Sequence, residues 1–325
     1  MQRRLKSAFL GTLLVLILLA ACQPAARIPM ATVEQIPTVS MNGLDFRAAH
    51  PQQYRILVAG HIYGAHDDQA SHPAATLLQH IPDLQTMNLD MIALLGDTAP
   101  HTTEQDFDKL ETLFLRSFAV PIFNTVGNHD VENRSLYTDR FGPTYYAFRR
   151  GPAYLIFLDT ELVSCKVTGE QRALLDEAIR LALADDRVKN ILIFTHKTIF
   201  MLDEVLNKSK SKVAMPNEWA CYRESNYNDL RQQTLLSAAQ KKPIYLFAGD
   251  VGAWDGNLSP YYQEDAGGPL YTIATGIGDT PQDSVILVDV QGDRVDFQVY
   301  SLTGQTMQPL ESYNLEYWRT IAAQK

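Results

Sequence analysis

Five short apolar runs in this chain end on side chains that can bind a metal or move a proton. They are "RILVAGH" at His61, "MIALLGD" at Asp97, "PIFNTVGNHD" at Asn128 and His129, "NILIFTH" at His196, and "PIYLFAGD" at Asp250. Taken singly, an Asp or His after a strand is an ordinary cap or turn residue. Together, carboxylate, imidazole and amide oxygen are the donor mixture of hard-to-borderline divalent ions such as Mn, Fe or Zn. Two such ions about 4 Å apart clamp a phosphate and activate a water. The chemistry these residue types suit is metal-assisted hydrolysis of a phosphate ester.

The elements that must position them follow a regular rhythm. "YRILVAG" has the form of a buried strand, and a helix follows with Leu77, Ile81 and Leu84 on one face and Pro82 as a bend. "MIALLGD" is a second strand, Phe107, Leu110, Phe114 and Phe118 stripe the next helix, and "PIFNTVGNHD" is a third strand. The order β, α, β, α, β predicts parallel strands with functional groups gathered at their carboxyl ends. Further on, "YYAFRRGPAYLIFLDT" reads as two strands around Gly151. "GEQRALLDEAIRLALADD" reads as a helix with Leu174, Leu175, Ala178, Ile179 and Ala182 on one face, and "SVILVDVQGDRVDFQVYSL" as a hairpin turning at Gly292-Asp293. The insertion from Met201 to Gln240 shows no clear strand. Its "NKSKSK" reads as a solvated loop, and the insertion is expected to cover the site, with Trp219 and Tyr222 shaping substrate choice.

The chain opens with Arg3, Arg4 and Lys6 before the apolar run "AFLGTLLVLILLAA". That run is short for a spanning helix of about 20 apolar residues, and residues 1–21 fit a secretory signal peptide. Leu19-Ala20-Ala21-Cys22 resembles a bacterial lipobox, in which Cys22 becomes the lipid-modified N-terminus of a membrane-anchored lipoprotein; a plain signal peptide with a chance cysteine is the alternative. The expected location is the cell envelope, and Gln23 after Cys22 resembles a signal for the outer membrane, facing the periplasm, in a Gram-negative cell. Residues 22–53, with Pro24, Pro29, Pro37 and Pro51 and no sustained period, read as a tether. Residues 54–303 read as one domain and 304–325 as a C-terminal tail.

Removing residues 1–21 leaves 25 basic against 37 acidic side chains, a formal charge of −12, which argues against a basic groove for nucleic acid. With Cys22 lipidated, Cys165 and Cys221 are the remaining thiols in an oxidising compartment. They form either a disulfide or two separate buried thiols, because spacing alone does not bring their Cα atoms into range.

The motifs resemble, in order, those of the calcineurin-like metallophosphoesterases: D-x-H, G-D, G-N-H-D/E, a lone His after a strand, and G-H-x-H. Gly96-Asp97 matches the second, Gly127-Asn128-His129-Asp130 the third and His196 the fourth. "RFGPTYYAF" followed by "YLIFLDT", and "EQRALLDEAI" before "FTH", extend the likeness over roughly residues 54 to 300. The resemblance implies a four-layer α/β/β/α sandwich with two mixed β-sheets. It implies that Asp97 bridges two divalent metals, that Asn128 and His196 bind the second, and that His129 touches the phosphate or protonates the leaving oxygen. The implied reaction is in-line attack of a metal-bound hydroxide on a phosphate mono- or diester, with one or two ions of Mn, Fe or Zn as cofactor.

Two motifs depart from the pattern. "RILVAGHIYG" puts His61 where the family has Asp and Tyr63 where it has His, and "FAGDVGAW" puts Asp250 and Gly252 at the two histidines of G-H-x-H. The second metal keeps a full set, Asp97, Asn128, His196 and Asp250. The first is left with His61, Tyr63 and Asp97, and a neutral phenol with a pKa near ~10 is a poor ligand unless a strongly acidic ion such as ferric iron deprotonates it. His66, Asp67, Asp68 or His72 are candidates to fold back as substitutes, and His101 and Asp255 stand on the same footing. Three readings follow. The first is a lipid-anchored phosphoesterase acting on a phosphorylated small molecule, lipid or envelope polymer. The second is a noncatalytic envelope protein that keeps the fold to bind a phosphorylated or anionic ligand. The third is a structural surface protein in which the motif residues form a hydrogen-bonded polar core.

Overall fold

A computed structural model describes residues 40–45, 52–65, 72–208, 213 and 221–324. The signal segment 1–21 and Cys22 lie outside the described residues, among which no helix is long and apolar enough to cross a membrane.

Strand β1 (Gln53–Ala59) places Ile56 and Val58 on one face and Leu57 and Ala59 on the other, all buried, so both faces must be covered. It pairs in parallel with β2 (Met91–Leu94), which pairs in parallel with β3 (Ile122–Asn124). On its other side β1 is antiparallel to β10 (Ser284–Gln291), which turns at Gly292-Asp293 into β11 (Arg294–Ser301). The first sheet thus has the order β11-β10-β1-β2-β3. The second is built from β4 (Tyr146–Arg150), β5 (Ala153–Phe157), β6 (Asn190–Phe194), β7 (Ile244–Ala248), β8 (Tyr261–Glu264) and β9 (Leu270–Ala274), in the order β4-β5-β6-β7-β9-β8. Its four central strands are parallel and its two edge strands antiparallel, so both sheets are mixed.

The sheets pack face to face. Ile56, Val58, Phe123 and Val288 from the first meet Phe148, Leu155, Phe157, Phe194 and Phe247 from the second. Phe157 and Phe194 stack at 4.6 Å and Phe194 and Phe247 at 5.2 Å, running the aromatic core across three neighbouring strands. Truncating one of these to alanine costs about 3–5 kcal/mol. On the outer face of the first sheet lie α1 (Ala75–Gln79), α2 (Ile81–Gln85), α3 (Glu104–Leu113) and α4 (Arg134–Phe141), which bury Leu77, Leu84, Phe107 and Tyr137 against Leu57 and Ile92. On the outer face of the second, α5 (Gly169–Ala184) buries Leu175, Ala178 and Ile179 against Ile156 and Ile193. The result is the expected α/β/β/α sandwich.

Four local expectations change in the folded chain. The helix bent at Pro82 is two short helices, with Pro82 in the first turn of α2, where its missing N–H costs nothing. Part of the stretch read as a tether is docked: Met41 N–H donates to Ile122 O at 2.7 Å and Asn42 accepts from Ile122 N–H at 3.2 Å, covering the open edge of β3. The tail contains α9 (Leu315–Gln324), whose buried Trp318 donates from Nε1 to Pro260 O at 3.0 Å. The insertion holds α6 (Glu204–Lys208), and α7 (Tyr227–Leu230) continues through a π-helical turn, Arg231–Leu235, into α8 (Leu236–Ala239). Its buried Leu206, Tyr227, Leu230 and Leu235 pack on the outer face of the second sheet, so its described part joins the helical layer instead of covering the site; Trp219 lies outside the described residues. A disulfide joins Cys165 to Cys221 with Cα atoms 5.3 Å apart, closing the alternative of two separate thiols and fastening the insertion to the loop after β5.

Candidate metal centre

Glycines allow the two sheets to meet at their carboxyl ends. A Cβ on Gly60, just after β1, would collide with the backbone of Gly249, just after β7, and one on Gly127 would overlap the Asp97 carboxylate. His61 and Asp97 turn out of their strands with φ of 52° and 54°, a left-handed backbone uncommon outside glycine. His61 N–H donates to Gly96 O at 3.0 Å, tying the ends of β1 and β2. Asp130 ties β2 to β3. Its Oδ2 accepts from the N–H groups of Asp97 at 2.8 Å and Gly127 at 2.9 Å, and its Oδ1 accepts from Thr98 N–H at 2.8 Å and Thr98 Oγ1 at 2.6 Å.

Asp97 stands at the middle of the cluster. Its Oδ1 accepts from His129 N–H at 3.1 Å, and its Oδ2 lies 3.4 Å from His196 Nε2 and 3.8 Å from His61 Nε2. Both imidazoles are oriented from behind: His196 Nδ1 is 2.8 Å from Leu95 O, and His61 Nδ1 is 2.8 Å from Ile277 O. A carbonyl only accepts, so each Nδ1 carries a proton and each Nε2 is the atom left to bind. Burial pushes the His61 pKa down by more than Asp97 restores, keeping that ring neutral. Burial acts the same way on His196, but Asp97 and Asp250 together outweigh it and the net shift is upward. For Asp97, burial pushes up while His196, His61 and His129 push down harder, and its carboxylate is held ionised.

His196 Nε2 is also 3.7 Å from Asp250 Oδ1, and it is buried with no hydrogen-bond partner. Donor atoms of Asp97, His196 and Asp250 all lie within 4.8 Å of one another. One imidazole nitrogen and two carboxylate oxygens therefore converge with no protein donor hydrogen-bonded to that nitrogen. These residues fit one divalent cation.

Among the described residues no second ligand set completes beside them. Asn128, expected beside them, is engaged by Lys197, which sequence reasoning missed. The Lys197 side chain is 9% exposed, and its Nζ lies 2.7 Å from Asn128 Oδ1, 3.1 Å from Asp250 Oδ2 and 3.8 Å from Glu161 Oε1. Burial opposes its charge, but Asp250, Glu161 and Asp97 outweigh that and hold the ammonium firmly protonated. On the other side, Tyr63 offers no ligand. Its ring lies 4.3 Å from that of His61 and 4.9 Å from that of His129, and its hydroxyl is turned to His129 Nε2 at 3.4 Å. Burial, with Asp97 nearby, pushes its pKa further up, so it remains a neutral phenol. Gly252 leaves no room for a side chain, because Gly276 O stands where its Cβ would be.

His129 is half-buried and Asn128 exposed, so these two form the outer rim of the centre. His129 Nδ1 bonds Pro100 O at 2.8 Å, which leaves Nε2 as its working atom. Of the substitute ligands, His66, Asp67 and Asp68 lie outside the described residues, and His72 is spent on Tyr63 O at 2.8 Å. His101 sits 3.7 Å from Glu132, in a second group with His129, and Asp255 is exposed. Two sequence signals for the missed residues existed: a lysine directly after His196 in "FTHK", and a glutamate just past the β5 strand in "LDTE".

No protein-family model matches the chain, and no curated protein matches it. Among solved structures it is similar to Vps29 of Chaetomium thermophilum at 14% identity and a TM-score of 0.36, over 76% of this chain and 87% of that one. It is also similar to the phosphopantetheinyl hydrolase PptH of Mycobacterium tuberculosis at 10% identity and a TM-score of 0.38, over 70% and 91% of the two chains. Likeness at this level carries no argument about activity, which rests on the geometry of the chain itself.

Proposed function

We propose that the chain is a phosphoesterase whose centre takes one divalent ion on Asp97, His196 and Asp250 and acts on a phosphate mono- or diester. The observation that carries this is the orphaned His196 Nε2 facing two carboxylates. An ion held there polarises a phosphoryl oxygen and lowers the pKa of water. The residues of the chain do the rest. His61 faces the same Asp97 oxygen as His196, and Asp130 fixes the backbone that carries Asp97. With its oxygen held by Lys197, the Asn128 side chain offers its NH2 group to a phosphate oxygen. His129 presents Nε2 at the rim, where it contacts the phosphate or passes a proton to the leaving oxygen. The signal-like N-terminus and the Cys165–Cys221 disulfide support an extracytoplasmic, Cys22-anchored protein, with a phosphorylated small molecule, lipid or envelope polymer as substrate.

A second reading has its own observation. Tyr63 fills the space between His61 and His129, where the family arrangement needs a ligand, and this favours a noncatalytic protein that binds a phosphorylated ligand. The test is a panel of phosphate mono- and diesters assayed on purified full-length protein loaded with Mn, Fe or Zn. Turnover that needs metal and falls about 10²-fold or more in His129→Ala supports catalysis. No turnover with metal demonstrably bound leaves the binding reading.

A further inference from the structure

We infer that the ammonium of Lys197 is a built-in fixed cation of the centre, taking Asn128 and one oxygen of Asp250 out of the ion's ligand set, so that the centre pairs one exchangeable ion with one fixed positive charge supplied by the chain. This rests on the one-ion reading above and goes beyond it, because it assigns a second positive charge of the centre to a particular residue.

Three oxygens surround Lys197 Nζ. Asn128 Oδ1 at 2.7 Å and Asp250 Oδ2 at 3.1 Å belong to the very residues that the family pattern assigns to a metal, and Glu161 Oε1 at 3.8 Å completes the set. Asp250 divides its carboxylate: Oδ1 faces His196 and Oδ2 faces Lys197. An ordinary buried ion pair accounts for Asp250 alone. It does not account for the ammonium reaching out to the amide oxygen of an exposed asparagine on a different sheet. The ammonium is a compact charge with three donors: it hydrogen-bonds Asn128 Oδ1 and draws Asp250 Oδ2 and Glu161 Oε1 by charge, neither of which has a hydrogen-bond partner. The pair carries less charge than two divalent ions would. A phosphate bound here meets one divalent ion and one monovalent head, a field suited to a single phosphoryl group at the rim formed by Asn128 and His129.

The test is metal stoichiometry, measured by elemental analysis and by titration with Mn and Zn, on full-length wild type, Lys197→Ala and Lys197→Gln, each checked by circular dichroism. The expected wild-type value is one equivalent. Lys197→Ala, which frees Asn128 Oδ1 and Asp250 Oδ2 for the ion, is expected to bind it about tenfold or more tightly. Lys197→Gln keeps a donor for Asn128 but removes the charge, and is expected to bind the ion about tenfold or more tightly; it carries the test if the alanine variant does not fold. Two equivalents in wild type overturn the inference. So does one equivalent in all three proteins with unchanged affinity, and that result leaves the one-ion reading standing. No metal in wild type but one equivalent in Lys197→Ala overturns the pairing, because the lysine then excludes the ion, and it overturns the one-ion reading with it. No metal in any of the three overturns both.

Discussion

Asp130 holds Asp97 by its main chain: the buried carboxylate accepts the Asp97 N–H at 2.8 Å while also accepting from Gly127 and Thr98. The third motif is therefore a structural clamp as much as a source of reacting groups. Removing the clamp leaves several donors unsatisfied inside the protein. Asp130→Ala is expected to lower stability by about 3 kcal/mol or more, read from urea denaturation. A loss under ~1 kcal/mol would show that the strand ends are held together by other means.

The disulfide spans a sequence separation of 56 and is the one covalent tie between the insertion and the loop after β5 among the described residues. Closing a loop of that size restricts the unfolded chain by roughly 4 kcal/mol, although measured effects often fall nearer 2. Cys165→Ser with Cys221→Ser is expected to lower the thermal midpoint by several degrees, and reductant to do the same to wild type alone. Insensitivity of wild type to reductant would contradict the bond.

Tyr63 directs its hydroxyl to Nε2 of His129, whose Nδ1 bonds Pro100 O. Tyr63→Phe keeps the ring packed against His61 and removes only that bond. Under the catalytic reading the variant keeps its stability and its metal, while kcat falls because the Tyr63 hydroxyl no longer orients the His129 ring. Unchanged rates would show that the bond has no part in turnover.

Asp185, at the end of α5, is held at a pKa of about 2, below its ordinary 3.8, chiefly by hydrogen bonds from Arg187. A depressed carboxylate contributes stability that is present above the unfolded value and is lost as pH falls through the folded one. The side chain is 15% exposed beside the exposed Arg187, and solvent there limits the effect to ~1 kcal/mol or less. Asp185→Asn is expected to be slightly less stable than wild type at neutral pH, and the difference should fade as pH drops from 3.8 toward about 2. A difference that grows on acidification would contradict the assignment.

The strand ends were legible because each apolar run is bounded by glycine or a polar turn residue, and five of them deliver His61, Asp97, Asn128, His196 and Asp250 to one edge. What the sequence hid is orientation across the gap between the sheets. Lys197 follows His196 by one residue, yet its long stem reaches Asn128, 69 residues earlier, on the other sheet. No local pattern encodes such a reach. The direction of the Tyr63 hydroxyl depends on where the loop after β3 sets His129, and the docking of residues 40–45 depends on an edge that exists only once β3 is formed.

The most direct measurement is the metal content of purified full-length protein after loading with Mn, Fe or Zn, compared with Asp97→Ala and Asp250→Ala. The account predicts one equivalent in wild type and its loss in both variants, with retention weakening as protons compete for the imidazole at lower pH. No bound metal under any loading condition, or metal retained in both variants, would contradict a centre built on Asp97, His196 and Asp250.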